Sequence, residues 1–347
     1  MFIFGIHLFS YYLYALGYWD RYPHMVGVTH PFPLLHGPML YLYIVFSLKP
    51  DQRFSWRIIL HFAPVLLSYL YMIRFFFFYS AEEKVMVDNA EVNDFMIFMG
   101  FSLVAFIISG IAYPIFSYRL LGRYRRLIKE NFAFEESINL NWLQYCIWSI
   151  AIIYLVVAVI SLLREALGIT FWFNADLIIY SSIILFVFFL GYFGIRHQGI
   201  FADELLADEH IAEPKTGGEY KRSGLKGDEA GQYHRKLVDL MTIKKPFLEP
   251  KLTLNTLAGE LNISLNHLSQ IINQYEEKNF YDFVNEYRVD EFKARVSNEA
   301  NSNYSILALA FDSGFNSKSS FNQVFKKIAG LTPSQYMRNV RSSARSV

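Results

Sequence analysis

Two short runs in the last third of the chain place a serine ahead of a helix and a polar face beside an apolar stripe. In the first, Ser264 precedes Leu265, Leu268, Ile271 and Ile272 at helical spacing. Asn266, Ser269 and Gln270 face away from Leu268 and Ile272. In the second, Ser317 precedes Phe321, Val324 and Phe325, and Lys318, Ser319, Asn322 and Gln323 face away from Phe321 and Phe325. Asn, Gln and Lys side chains carry the donors and acceptors that address base edges in the major groove. Ser264 and Ser317, at helix N-termini, and Lys326 and Lys327, by charge, suit phosphate instead.

Other chemistries find little support. Cys146 is the single cysteine, so neither a disulfide framework nor a thiolate zinc site is expected. No HxxxH or HExxH spacing occurs, no apolar helix carries paired carboxylates, and no glycine-rich nucleotide-binding segment follows the apolar region. No catalytic residue, metal or cofactor is implied, and the chain is not read as an enzyme. Polar residues inside apolar stretches are candidates for sensing. His7, His36, His61, Arg74 and Ser109 stand out, with His36, His61 and Arg74 as the candidate sensing set. Plainer readings are that Arg74 snorkels from the outer end of its helix and that His61 sits at the interface. The signal ligand itself is not identified.

The elements around the polar faces form two helix-turn-helix units. Pro250–Thr253 opens a helix carrying Leu254, Leu257, Ala258 and Leu261, and Asn262-Ile263 turns into the helix capped by Ser264. The pattern recurs when Ser305 caps a helix with Ile306, Leu309 and Ala310. Asp312–Asn316 then turns at Gly314 into the helix capped by Ser317. Thr332-Pro333 starts a final helix. Between the units, Tyr281–Ser297 is expected to pack Phe283, Val284, Tyr287 and Phe292, with Arg288, Lys293 and Arg295 outside. Such a helix spans roughly 25 Å, enough to set two recognition helices about one DNA turn, near 34 Å, apart.

The front of the chain is far more apolar. Over 347 residues, hydrophobic types reach 53% and charged types 18%, with a mean hydropathy of +0.22, although the last third is visibly polar. Six stretches qualify or nearly qualify as membrane spans, near Phe2–Tyr18, Pro33–Leu48, Arg57–Tyr79, Phe95–Leu120, Trp142–Leu163 and Leu177–Ile195. The first two are short, and Pro64 and Pro114 are expected kinks. Phe2–Tyr18 has no basic leader and no small-residue cleavage site, so it reads as a span rather than a signal peptide. The loops Lys49–Arg57 and Arg119–Asn141 are basic, whereas Ser80–Asp94 holds only Lys84 and Glu165–Asp176 holds no Lys or Arg. Basic loops stay cytoplasmic, so six spans put both termini in the cytoplasm, at a cell inner membrane.

Three domains are expected: 1–197 transmembrane, 198–234 an acidic flexible linker, and 235–347 DNA-binding. From Ile200 to Gly231 there are 4 Lys and Arg against 8 Asp and Glu, whereas Gln232–Val347 holds 15 against 11. The fold class expected is all-α: a polytopic helix bundle followed by an all-helical DNA-binding domain.

The segment Ile306–Met337 resembles the C-terminal signature of the AraC/XylS family of bacterial regulators. Ala310, Gly314-Phe315, Ser317, Ser320-Phe321, Phe325-Lys326, Gly330, Thr332-Pro333 and Tyr336 carry the likeness. The run Leu257–Asn273 is similar to the family's first helix-turn-helix, and His30–Ile44 looks like the front of membrane-anchored members of Bacteroidetes type. Better-known members carry a soluble sugar-binding jelly roll that is not seen here. The resemblance implies base contacts from Asn266, Ser269, Gln270, Lys318, Ser319, Asn322 and Gln323. It also implies sequence-specific binding of double-stranded DNA. The expected protein is a membrane-embedded one-component transcription regulator, with membrane lipid, an unknown signal ligand and a second copy of itself as further partners. The alternative is a transporter or membrane enzyme with a regulatory DNA-binding tail.

Overall fold

A computed structural model describes residues 1–48, 55–89, 91–92, 94–134, 140–196 and 227–344. Among them regular structure is helical, and strand pairing is limited to one isolated antiparallel bridge, Phe132 with Thr253. The chain divides into two compact units, Met1–Gly122 with Leu140–Phe201, and Arg123–Asn139 with Ala202–Val347.

The first unit holds α1 (Phe2–Ala15), α2 (Tyr18–Arg21), α3 (Pro33–Leu48), α4 (Ala63–Phe78) and α5 (Ala81–Asp88). It also holds the start of α6 (Met96–Asn131), then α7 (Asn141–Ser161) and α8 (Ala175–Arg196). Four helical stretches are long and apolar enough to cross a membrane: Trp56–Phe78, Met96–Asn131, Asn141–Arg164 and Ala175–Ile195. The two remaining expected spans are α1 and α3, apolar but only 14 and 16 residues long. Between 17% and 33% of each long helix's most apolar window is buried. Such helices present apolar flanks, Phe101 and Phe188 among them, which associate with a membrane rather than with water.

Pro64 marks the passage from a 3-10 turn, Trp56–Phe62, into α4. Pro114 lies inside α6, which continues to Asn131. The stretch from Arg119 was expected to be a loop; instead its first half is helix. Leu121, Tyr124 and Ile128 keep an apolar i, i+3, i+7 stripe there and are buried, so the helical period outlasts the membrane segment.

Pro38 lies inside α3 and offers no N–H to its ladder. One residue earlier, the Gly37 N–H donates to the Tyr154 hydroxyl at 2.9 Å, and that hydroxyl donates to Pro33 O at 3.0 Å. In an unbroken helix Gly37 would bond Pro33 directly; here a phenol from α7 stands between them. Glycine is required at that spot, since a Cβ would come within 2.9 Å of Tyr113 and 3.1 Å of the Tyr154 hydroxyl.

The second unit contains α9 (Gly227–Ile243), α10 (Leu254–Leu261), α11 (Leu265–Ile271), α12 (Phe280–Ser297), α13 (Ile306–Asp312), α14 (Lys318–Ala329) and α15 (Pro333–Ala344). The linker expected over 198–234 lies outside the described residues up to 226, and α9 begins within its last stretch. Two apolar cores flank α12. Leu237, Met241, Leu254, Leu257, Leu268, Ile272, Phe283 and Val284 form one. Val289, Phe292, Leu309, Phe315, Phe321 and Phe325 form the other.

Arg288 departs from expectation. Placed outside by the sequence reading, it is 1% exposed. Its Nε donates to Phe247 O at 2.8 Å, Nη1 to Ala133 O at 2.8 Å, and Nη2 to Glu249 O at 2.8 Å. A buried cation needs its donors filled, and carbonyls that end helices and turns are the acceptors that fill them. Burial draws its pKa down to about 10, so it remains charged at neutral pH.

Candidate nucleic-acid interface

Each recognition helix is started by a serine whose hydroxyl accepts an orphan amide. Ser264 Oγ accepts from His267 N at 3.2 Å, and Ser317 Oγ accepts from Ser320 N at 3.2 Å. Helix α10 ends on Asn262 at φ 54°, a left-handed residue that turns the chain into α11. The second turn pivots on Gly314 at φ 92°, where a Cβ would lie 2.2 Å from Phe247 O. That glycine is fixed twice, by conformation and by the approach of the first half's backbone.

The second helix-turn-helix presents its expected reading face openly. Lys318, Ser319, Asn322 and Gln323 are all exposed, while Phe321, Val324 and Phe325 anchor α14 from the other side. Lys326 is exposed too. Lys327 is paired with Asp282 at 2.7 Å, so reaching a phosphate would mean exchanging that partner.

The first helix-turn-helix differs. Asn266 is half-buried and Ser264 exposed, but Ser269 and Gln270 are 6% and 9% exposed. Two of the three side chains expected to read bases there are therefore covered.

In the membrane unit the candidate sensing residues are not gathered at one place. His36 is buried with its Nε2 3.3 Å from His7 Nδ1, and His7 Nε2 lies 3.4 Å from the Tyr180 hydroxyl. His61 Nδ1 meets the Tyr113 hydroxyl at 3.0 Å. Arg74 is exposed, its guanidinium 5.9 Å from the Tyr79 ring centre. A cavity of about 280 Å³ opens beside His7 and Tyr180 and is lined also by Trp19, His30, Phe75 and Asp88. Of its polar lining, the sequence reading singled out only His7. The others come from connecting segments and helix ends whose convergence no spacing announces. Burial and the nearby Asp20 hold the Asp88 carboxyl above the usual carboxylate range.

Residues 257–339 match the family model described as "Helix-turn-helix domain". The match runs from α10 into α15 and so takes in both units. This is a DNA-binding transcription regulator's domain, and it is of the AraC type. Among solved structures, a protein of unknown function from Listeria innocua is 26% identical over 30% of this chain and 93% of its own, with a TM-score of 0.27. No curated protein matches the chain significantly.

Proposed function

We propose that the protein is a membrane-embedded one-component regulator that binds specific double-stranded DNA through both helix-turn-helix units. The observation that carries this reading is the second unit's exposed row of Lys318, Ser319, Asn322 and Gln323 on a helix locked by Phe321 and Phe325. Those side chains, with Asn266, Ser269 and Gln270, are assigned to base edges. Ser264, Ser317, Lys326 and Lys327 are assigned to phosphates. The four long apolar helices, with the two shorter ones, hold the chain in lipid, and the basic loops keep the DNA-binding domain cytoplasmic.

A signal reaching the membrane unit controls the outcome by favouring one packing of the helices over another, because a ligand moves an equilibrium only through differential affinity. His36, in contact with His7 beside the cavity, is better placed for that role than His61 or Arg74. Two copies of the chain on neighbouring sites would complete a regulator of this kind.

The test is genome-wide DNA crosslinking of the full-length protein in membrane-fractionated cells, against a Lys318→Ala/Gln323→Ala variant. Specific sites that vanish in the variant support the reading. Identical maps from the two proteins would sink it. Identical promoter output from the isolated domain and the full chain under every condition would sink the sensing half alone.

A further inference from the structure

Residues Lys129–Phe134 end a helix that starts in the membrane unit, yet they belong to the DNA-binding unit. Their attachment is built first from backbone. Ala133 N donates to Leu252 O at 3.1 Å, and Phe132 pairs with Thr253 in the antiparallel bridge. Ala133 O accepts from Arg288 Nη1 at 2.8 Å and from Asn285 Nδ2 at 3.2 Å. Phe132, Ala133 and Phe134 are all buried, Ala133 within the core around the first helix-turn-helix. The Lys129 ammonium sits 5.7 Å from the Tyr281 ring centre. Glu130 hydrogen-bonds Asn273, just past α11.

That last contact lies on the reading side. At about 100° per residue, Asn266, Gln270 and Asn273 fall together, opposite Leu268 and Ile271. Ser269 lies beside the Leu265–Ile272 column and meets Asn273, but Gln270, on the Asn266 side, has no core to enter and is still only 9% exposed, while its counterparts on α14 are open. The Glu130 Oε2 is also buried, with no hydrogen-bond partner among the described residues. A carboxylate held there opposes a polyanion by charge as well as by volume. Detachment is chemically feasible, because Arg288 Nη1 keeps a second acceptor, Asn285 Oδ1 at 3.3 Å.

We propose that Lys129–Phe134 is a self-docking latch that covers the reading face of the first helix-turn-helix and keeps that unit off DNA until α6 withdraws it. The inference rests on the DNA-binding reading above and adds the element that gates it.

A reversible lock tests it. Antiparallel partners sit about 4.5–5.5 Å apart at Cα, within disulfide range, so Phe132→Cys/Thr253→Cys in a Cys146→Ser background can be closed by oxidation. Full-length protein in lipid nanodiscs is used to retrieve sheared genomic DNA of the source organism, oxidised and reduced. The reduced form should enrich the same fragments as wild type, and oxidation should weaken that enrichment about tenfold or more, since one unit's base contacts are lost. Equal or stronger enrichment when oxidised would overturn the latch while leaving DNA binding intact. If wild type itself enriches no fragment, the DNA-binding reading fails and the latch falls with it. Hydrogen exchange on wild type needs no substitution. Amides of Lys129–Phe134 should lose protection when an enriched fragment is bound, and unchanged protection counts against the latch.

Discussion

Replacing Arg288 by Met keeps much of the side chain's length and removes every donor. Three bonds of 2.8 Å, to Phe247, Ala133 and Glu249 carbonyls, would be lost. Charge-assisted hydrogen bonds contribute roughly 1.5–3 kcal/mol each, which alone suggests about 5–9 kcal/mol. Burying the guanidinium costs several kcal/mol that Met does not incur, so the net loss expected is about 3–5 kcal/mol. That is a large share of a domain stability of about 5–15 kcal/mol. Arg288→Lys should recover little, because an ammonium cannot reach three carbonyls held in a planar fork. Hydrogen exchange on the full chain in nanodiscs reads the effect locally. Amides of α10 and α12 should exchange about 10²–10³-fold faster, at 1.4 kcal/mol per factor of ten. Exchange within about threefold of wild type would refute the argument that this buried cation organises the unit.

Three further outcomes follow from other contacts. Gly314→Ala forces a Cβ against Phe247 O and strains a positive φ, so thermal unfolding of the DNA-binding unit should show a loss of about 2–5 kcal/mol. Tyr154→Phe keeps the ring beside Gly37 N and Pro33 O, holding them apart, but removes the bridging hydroxyl, and unfolding in detergent should reveal a loss of about 1–3 kcal/mol at unchanged helix content. Burial pushes the Glu291 carboxyl up, but Lys245 and Arg295 together outweigh it and hold it below the usual carboxylate range. A depressed carboxylate stabilises the fold above its unfolded pKa and stops doing so as pH falls through the folded one. Glu291→Gln should therefore cost about 1–2 kcal/mol at pH 7 and nothing in strong acid, as seen in urea titrations at both pH values.

Much of the DNA-binding unit was legible because its signals are local. Ser264, Ser305 and Ser317 cap helices as their positions imply, and Asn262 and Gly314 turn the chain where a left-handed residue is needed. Arg288 was misplaced because its charge outweighed its position. Val284, Arg288 and Phe292 recur four apart, the spacing of a buried stripe, and that was the available clue. The extension of α6 was hidden in the same way, as Arg123, Arg125, Arg126 and Lys129 read as a basic loop although they are good helix formers. No local pattern could announce that Ala133 meets Leu252 and Arg288, since partners more than a hundred residues away leave no mark on its neighbours.

The phenol spliced into α3 has a consequence for how α3 and α7 could move. A ladder completed by another helix's hydroxyl can satisfy the same two backbone groups in two ways: through Tyr154, or by closing directly on itself once Tyr154 leaves. Neither arrangement strands the Gly37 amide or the Pro33 carbonyl, so the exchange trades one satisfied state for another instead of breaking a bond in hydrocarbon. Under the proposed sensing role, such a splice would offer α3 a second satisfied setting, governed by where α7 places Tyr154.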